Sequence, residues 1–89
     1  MEEMSNGDKV WMLNGVFHRT DGPAVEHANG YRVWYLHGER HRTDGPAVEY
    51  EDGNKLWWLN GKVYSFDNWL EQTTGLADDE KVMLKLRYG

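Results

Sequence analysis

Apolar residues fall in three short runs, 10–13, 33–36 and 56–59, and each is closed by a pair ending in glycine: Asn14-Gly15, His37-Gly38 and Asn60-Gly61. Val, Trp, Tyr and Leu favour the half-buried extended backbone of a sheet, and Asn-Gly supplies the positive φ of a tight hairpin turn. A second run, PAVE at 23–26 and again at 46–49, lies between Asp-Gly and the next Asn-Gly or Asp-Gly. It reads as a second strand with its proline at the start, where a missing N–H is tolerated. Side chains alternate along a strand. Trp11, Trp34 and Trp57 should therefore share one face with Leu13, Leu36 and Leu59, while Met12, Tyr35 and Trp58 share the other with Val10, Val33 and Leu56. His27 and Tyr50 join that second face if the PAVE strands pair in register.

Beyond Gly61 the spacing turns helical. Ser65 predicts the N-cap of a helix over 66–73 with Phe66, Trp69 and Leu70 as its apolar stripe. Gly75 ends it. Asp78 predicts the cap of a second helix over about 79–87, whose acidic start (Asp79, Glu80) and basic end (Lys85, Arg87) suit the macrodipole. A strand array needs its last edge and face closed, and this helical pair is placed to close it.

The runs recur at a fixed spacing of 23 residues, seen at Gly7, Gly30 and Gly53 and at Trp11, Trp34 and Trp57. Residues 7–29 and 30–52 agree at 14 of 23 positions, and the nine letters HRTDGPAVE at 18–26 return unchanged at 41–49. The third copy, 53–64, keeps the first strand and the turn and then departs. The period, the Trp followed by Asn-Gly, the His and the closing Asp-Gly resemble the MORN repeat (membrane occupation and recognition nexus). The core W-x-L-N-G-x-x-H-R-x-D-G-P-A is more closely similar to divergent MORN-like repeats found in small phage-encoded proteins. The resemblance covers residues 7–63. It departs from the usual unit in having three residues from Trp57 to Asn60 and HRTDGPA where a short HGxG is expected, so an altered interior packing is expected. The expected fold is thus mainly β with a C-terminal α cap: a single-layer antiparallel MORN-like β-hairpin meander followed by two short helices, one domain over 1–89 with the cap at 65–89.

Composition narrows the chemistry. A chain of 89 residues buries roughly 60 to 65% of its unfolded surface, enough for one core and not two, and five Trp, five Tyr and two Phe must supply much of that burial. Without cysteine there is no disulfide, no thiol nucleophile and no thiolate zinc site. The start, MEEMSNGDK, has no apolar run, so neither a signal peptide nor a membrane anchor is expected and the cytoplasm is the expected compartment. The net charge of −5 divides into −2 for 1–6, −1 for 7–29, −2 for 30–52 and 0 for 53–89. No segment is a basic patch, which argues against a nucleic-acid partner.

His18, Arg19 and Asp21, with their copies His41, Arg42 and Asp44, have the makings of an acid-base pair or a metal cluster. Duplication argues otherwise, because a catalytic centre needs a single convergence of different groups whereas a building block recurs with the repeat. The expected role is structural: Asp21 and Asp44 bonding nearby backbone in a turn, His18 and His41 packing beside a tryptophan, and Trp11, Trp34 and Trp57 filling the constant face. Ser5 and Ser65 lie in no nucleophile elbow, and no phosphate-binding glycine loop is present. Glu26 and Glu49 are expected as cross-strand partners of Lys9, Arg32 or Lys55. No catalytic residue, cofactor or metal is expected.

Positions that vary between copies are free to serve a partner. Met12, Tyr35, Trp58 and Tyr50, with Glu39 and Arg40 beside them, are therefore the expected binding residues, unless the helices cover that face. The resemblance implies a protein-binding module and, through its phage examples, an inhibitor of a host defence protein. A nucleotide or single-stranded nucleic-acid binder using the aromatic stripe, and a self-associating structural subunit, are the alternatives.

Overall fold

Each long apolar run becomes a strand served end to end by two partners. In the computed structural model, which describes residues 2–3, 7–73 and 75–88, the first run is split into β2 (Lys9–Val10) and β3 (Met12–Leu13). β3 turns through Asn14-Gly15 into β4 (Val16–Phe17), and β2 pairs with β5 (Val25–Glu26). Positive φ at Asn14 (53°) and Gly15 (82°) makes the two-residue turn. The second copy repeats the arrangement with β6 (Arg32–Val33), β7 (Tyr35–Leu36), β8 (Glu39–Arg40) and β9 (Val48–Glu49). In the third, β10 (Lys55–Leu59) runs unbroken into the hairpin with β11 (Lys62–Tyr64).

The split at the tryptophan has a cause. Trp11 donates its N–H to Ala24 and accepts at its carbonyl from His18, so its backbone spans the mouth of the five-residue excursion 19–23. Trp34 does the same with Ala47 and His41 across 42–46. HRTDGP is thus a wide bulge that interrupts the pairing in every full repeat, and the meander resolves into one seven-stranded sheet, ordered β1-β2-β5-β6-β9-β10-β11, with two separate hairpins β3-β4 and β7-β8. Here β1 is Glu2–Glu3. The glutamates meet their partners in register, Glu26 opposite both Lys9 and Arg32 and Glu49 opposite both Arg32 and Lys55.

Helix α1 (Phe66–Gln72) begins as the sequence predicts, with the Ser65 side chain accepting from the Asn68 N–H. Helix α2 (Asp78–Tyr88) begins one residue earlier than expected. Its first turn is closed by Ala77, whose carbonyl accepts from Lys81 and whose N–H is met by the Glu80 carboxylate, so Ala77 and not Asp78 takes the cap position.

Two cores lie on opposite sides of the sheet. One joins Trp57, Leu59, Trp69 and Leu70, with Tyr64, Phe66, Leu76, Leu84 and Tyr88 around them. The other joins Val25, Val33 and Val48 under Val10, Phe17, Tyr31, Tyr35, Leu56 and Trp58. Alternation along the unbroken β10 puts Trp57 and Leu59 on one face and Leu56 and Trp58 on the other. The helices cover the Trp57 face, opposite to the aromatic face that the sequence left open to them.

Candidate functional site

The duplicated string builds a lid over each tryptophan. The Arg19 guanidinium lies 3.8 Å from the centre of the Trp11 ring, and Arg42 lies at the same distance over Trp34. Each arginine is held in place by its own excursion: Arg19 Nε donates to Asp21 at 2.8 Å and Nη1 to the Pro23 carbonyl at 3.1 Å, while Arg42 bonds Asp44 and Pro46 at 2.8 and 3.0 Å. Glu26 and Glu49 stand close behind at 3.8 and 3.6 Å. The bond from Arg19 lowers the Asp21 pKa. Asp21 and Asp44 therefore clamp a cation-π lid, Asp21 meeting backbone N–H as well, and the group over the tryptophan is guanidinium, not imidazole.

The histidines join repeat to repeat. His18 Nδ1 accepts from the His37 N–H at 2.9 Å, and His41 Nδ1 accepts from the Asn60 N–H at 3.0 Å. Both bonds require a neutral imidazole with its proton on Nε2. Burial pushes the His41 pKa down, partly countered by Glu39. Among the described residues no group of three or more His, Cys, Asp or Glu side chains is placed to hold a metal ion. Ser5 lies outside the described residues, and the Ser65 hydroxyl is taken up by its cap.

The third repeat replaces the arginine lid with rings. Phe66 and Trp69 from α1 each sit 4.7 Å from Trp57, with the Tyr88 edge at 5.1 Å. The Trp69 indole N–H donates to the Arg42 carbonyl at 3.0 Å, which ties α1 to the second excursion. Between the two excursions runs a groove of about 470 Å³ lined by Arg19, Asp21, Trp34, Leu36, His41 and Arg42 among others. Its cations are already paired with their own carboxylates.

The opposite face gathers five of the expected binding residues. Arg40 lies 5.0 Å over the Trp58 ring, and its Nε donates to the Tyr35 hydroxyl at 3.4 Å, a bond that raises the Arg40 pKa. Tyr35 stacks obliquely on Phe17 at 5.2 Å, and Tyr31 meets both His27 (5.2 Å) and Tyr50 (5.3 Å). Tyr50 is 40% exposed, whereas Glu39 pairs with Leu36 and so stands on the other face, exposed beside the Gly61 turn. Two expectations change. Tyr35 and Trp58 are half-buried over the valine row and are not free anchors, and Glu39 falls on the Leu36 face, while Met12, 46% exposed, extends the aromatic face opposite Phe17. The sequence reading overlooked Tyr31, although its place one strand before Tyr35 in a run of aromatics was the available signal. The buried Trp58 indole N–H has no partner among the described residues. No protein-family model, curated protein or solved structure matches this chain.

Proposed function

We propose that this protein is a non-catalytic protein-binding module acting through the face formed by Tyr31, Tyr35, Tyr50, Trp58 and Arg40. The observation that carries the reading is that the helices close the other face, leaving this aromatic set with an arginine at its centre. Tyr, Trp and Arg are the residues that dominate binding energy at protein interfaces. The His, Arg and Asp side chains that could have suggested turnover are used in lids and repeat junctions, which favours binding over catalysis. The resemblance to MORN-like repeats of phage proteins supports a host defence protein as the target, with the protein acting as its inhibitor.

Affinity capture from a bacterial lysate, followed by titration of the protein returned, tests this. Tyr50→Ala and Arg40→Ala should each weaken that complex by about 2 kcal/mol, with melting of Tyr50→Ala unchanged. A partner that binds both variants as it binds the wild type overturns the reading. Tight binding of a single-stranded oligonucleotide at the same residues would favour base stacking instead.

A further inference from the structure

Each repeat offers the next the same three groups on the outer edge of its hairpin. In the first junction these are the Phe17 carbonyl, which accepts from the Gly38 N–H, the His18 imidazole, which accepts from the His37 N–H, and the Arg19 N–H, which donates to the Tyr35 carbonyl. In the second they are the Arg40 carbonyl to Gly61, the His41 imidazole to Asn60 and the Arg42 N–H to Trp58. The turn glycine rests on the preceding hairpin each time: a Cβ on Gly38 would lie 3.2 Å from Val16 Cβ, and one on Gly61 would lie 3.0 Å from the Glu39 carboxylate.

The first hairpin has the receiving half of this junction, and no described residue occupies it. Its equivalent groups are the Asn14 and Gly15 N–H and the Met12 carbonyl, and none has a partner among the described residues. A Cβ on Gly15 would meet nothing within 4 Å. Met12 and Leu13 beside it are each 46% exposed, whereas their counterparts Tyr35 and Leu36 in the second copy are half-buried. The register of the array continues past this hairpin. Glu2 pairs with Val10 and Glu3 with Lys9, the positions that Val25 and Glu26 occupy against Val33 and Arg32 one period later.

We infer that the first hairpin is a docking site for an x-His-Arg edge of the same repeat type carried by a second polypeptide. That edge supplies a carbonyl for Gly15, an imidazole acceptor for Asn14, an N–H for the Met12 carbonyl and apolar cover for Met12 and Leu13. This is strand addition to an open edge, with the side-chain acceptor giving specificity. A second copy of this chain does not fit. Its His18 and His41 edges are engaged by its own next repeats, and at the outer edge of β11 Tyr64 stands in the histidine position just before α1 begins.

The test uses amide exchange and a synthetic peptide with the sequence of residues 7–29. In the free protein the Asn14 and Gly15 amides should exchange at least about tenfold faster than those of His37, Gly38, Asn60 and Gly61, as unpaired N–H groups do. The peptide at about 1 mM, the weak end of specific association, should slow both amides. Replacing His18 of the peptide with phenylalanine should weaken this by about fivefold or more, the worth of one hydrogen bond. The inference is overturned by equal protection in the free protein, by no slowing at that concentration, by indifference to the His18 replacement, or by a homodimer that itself protects Asn14 and Gly15. Tyr50→Ala leaves this site untouched, so peptide binding by that variant separates the result from the role of the aromatic face.

Discussion

His41 joins two repeats only as a neutral ring, because a proton on Nδ1 would face the Asn60 N–H that it now accepts. Its pKa is lowered from the ordinary 6.5 by burial. An unfolded chain therefore takes up the proton first as pH falls, so the contribution to stability is present above 6.5 and is lost between 6.5 and the lower folded value. Melting temperature should decline across that interval in the wild type. In His41→Phe the decline should be shallower and the melting temperature above pH 7 already lower; an unchanged slope would mean that the ring does not titrate as argued. The residue types at this position were plain from the sequence. Their partners were not, because Asn60 is brought to His41 only by the stacking of one hairpin on the next.

The hairpin turns differ in what they rest on, and this gives each element its own tolerance. Gly15 and Gly38 have nearly the same φ, 82° and 81°, yet only Gly38 lies against a neighbour, Val16. Gly15→Ala should cost only the strain of a left-handed alanine, about 1 to 2 kcal/mol. Gly38→Ala bears the same strain and must also displace Val16, so its denaturant midpoint should fall further below that of Gly15→Ala. Equal losses would show that the junction yields without cost. Hairpins, turns and helix starts were legible from Asn-Gly, the PAVE runs and Ser65 because turn and cap chemistry acts within a few residues. The break in each strand at Trp11 and Trp34 was not, since a bulge appears only when the partner strand's extra residues are counted against it.

At the scale of the molecule, the array measures 41 × 29 × 19 Å and has unlike ends and unlike faces. One end is closed by α1 and α2 over Trp57 and Leu59, and the other ends in the bare hairpin of the first repeat. Removing residues 65–89 takes away Trp69, fully buried, together with Phe66, Leu84 and Tyr88, and bares Trp57. Loss of one such aromatic costs about 3 to 5 kcal/mol, a large part of the stability of a domain this small. The truncated chain should be unfolded or aggregated by circular dichroism and light scattering. A soluble, folded product would assign the cap a different role.

The sequence by itself determined the repeat, its period, the strands and turns within it, and the change to helix after the third hairpin. All of these follow from local backbone preference and from the alternation of side chains. Tertiary structure alone decided which face the helices take, because alternation divides residues into two sets without saying which set is covered. It also decided that Arg19 and Arg42, not the histidines beside them, lie over the tryptophans. The five-residue excursion folds back on its own strand, and Asp21, Asp44 and the proline carbonyls then fix each guanidinium above the ring. The histidines are left pointing along the array, where each accepts from a backbone N–H of the next turn.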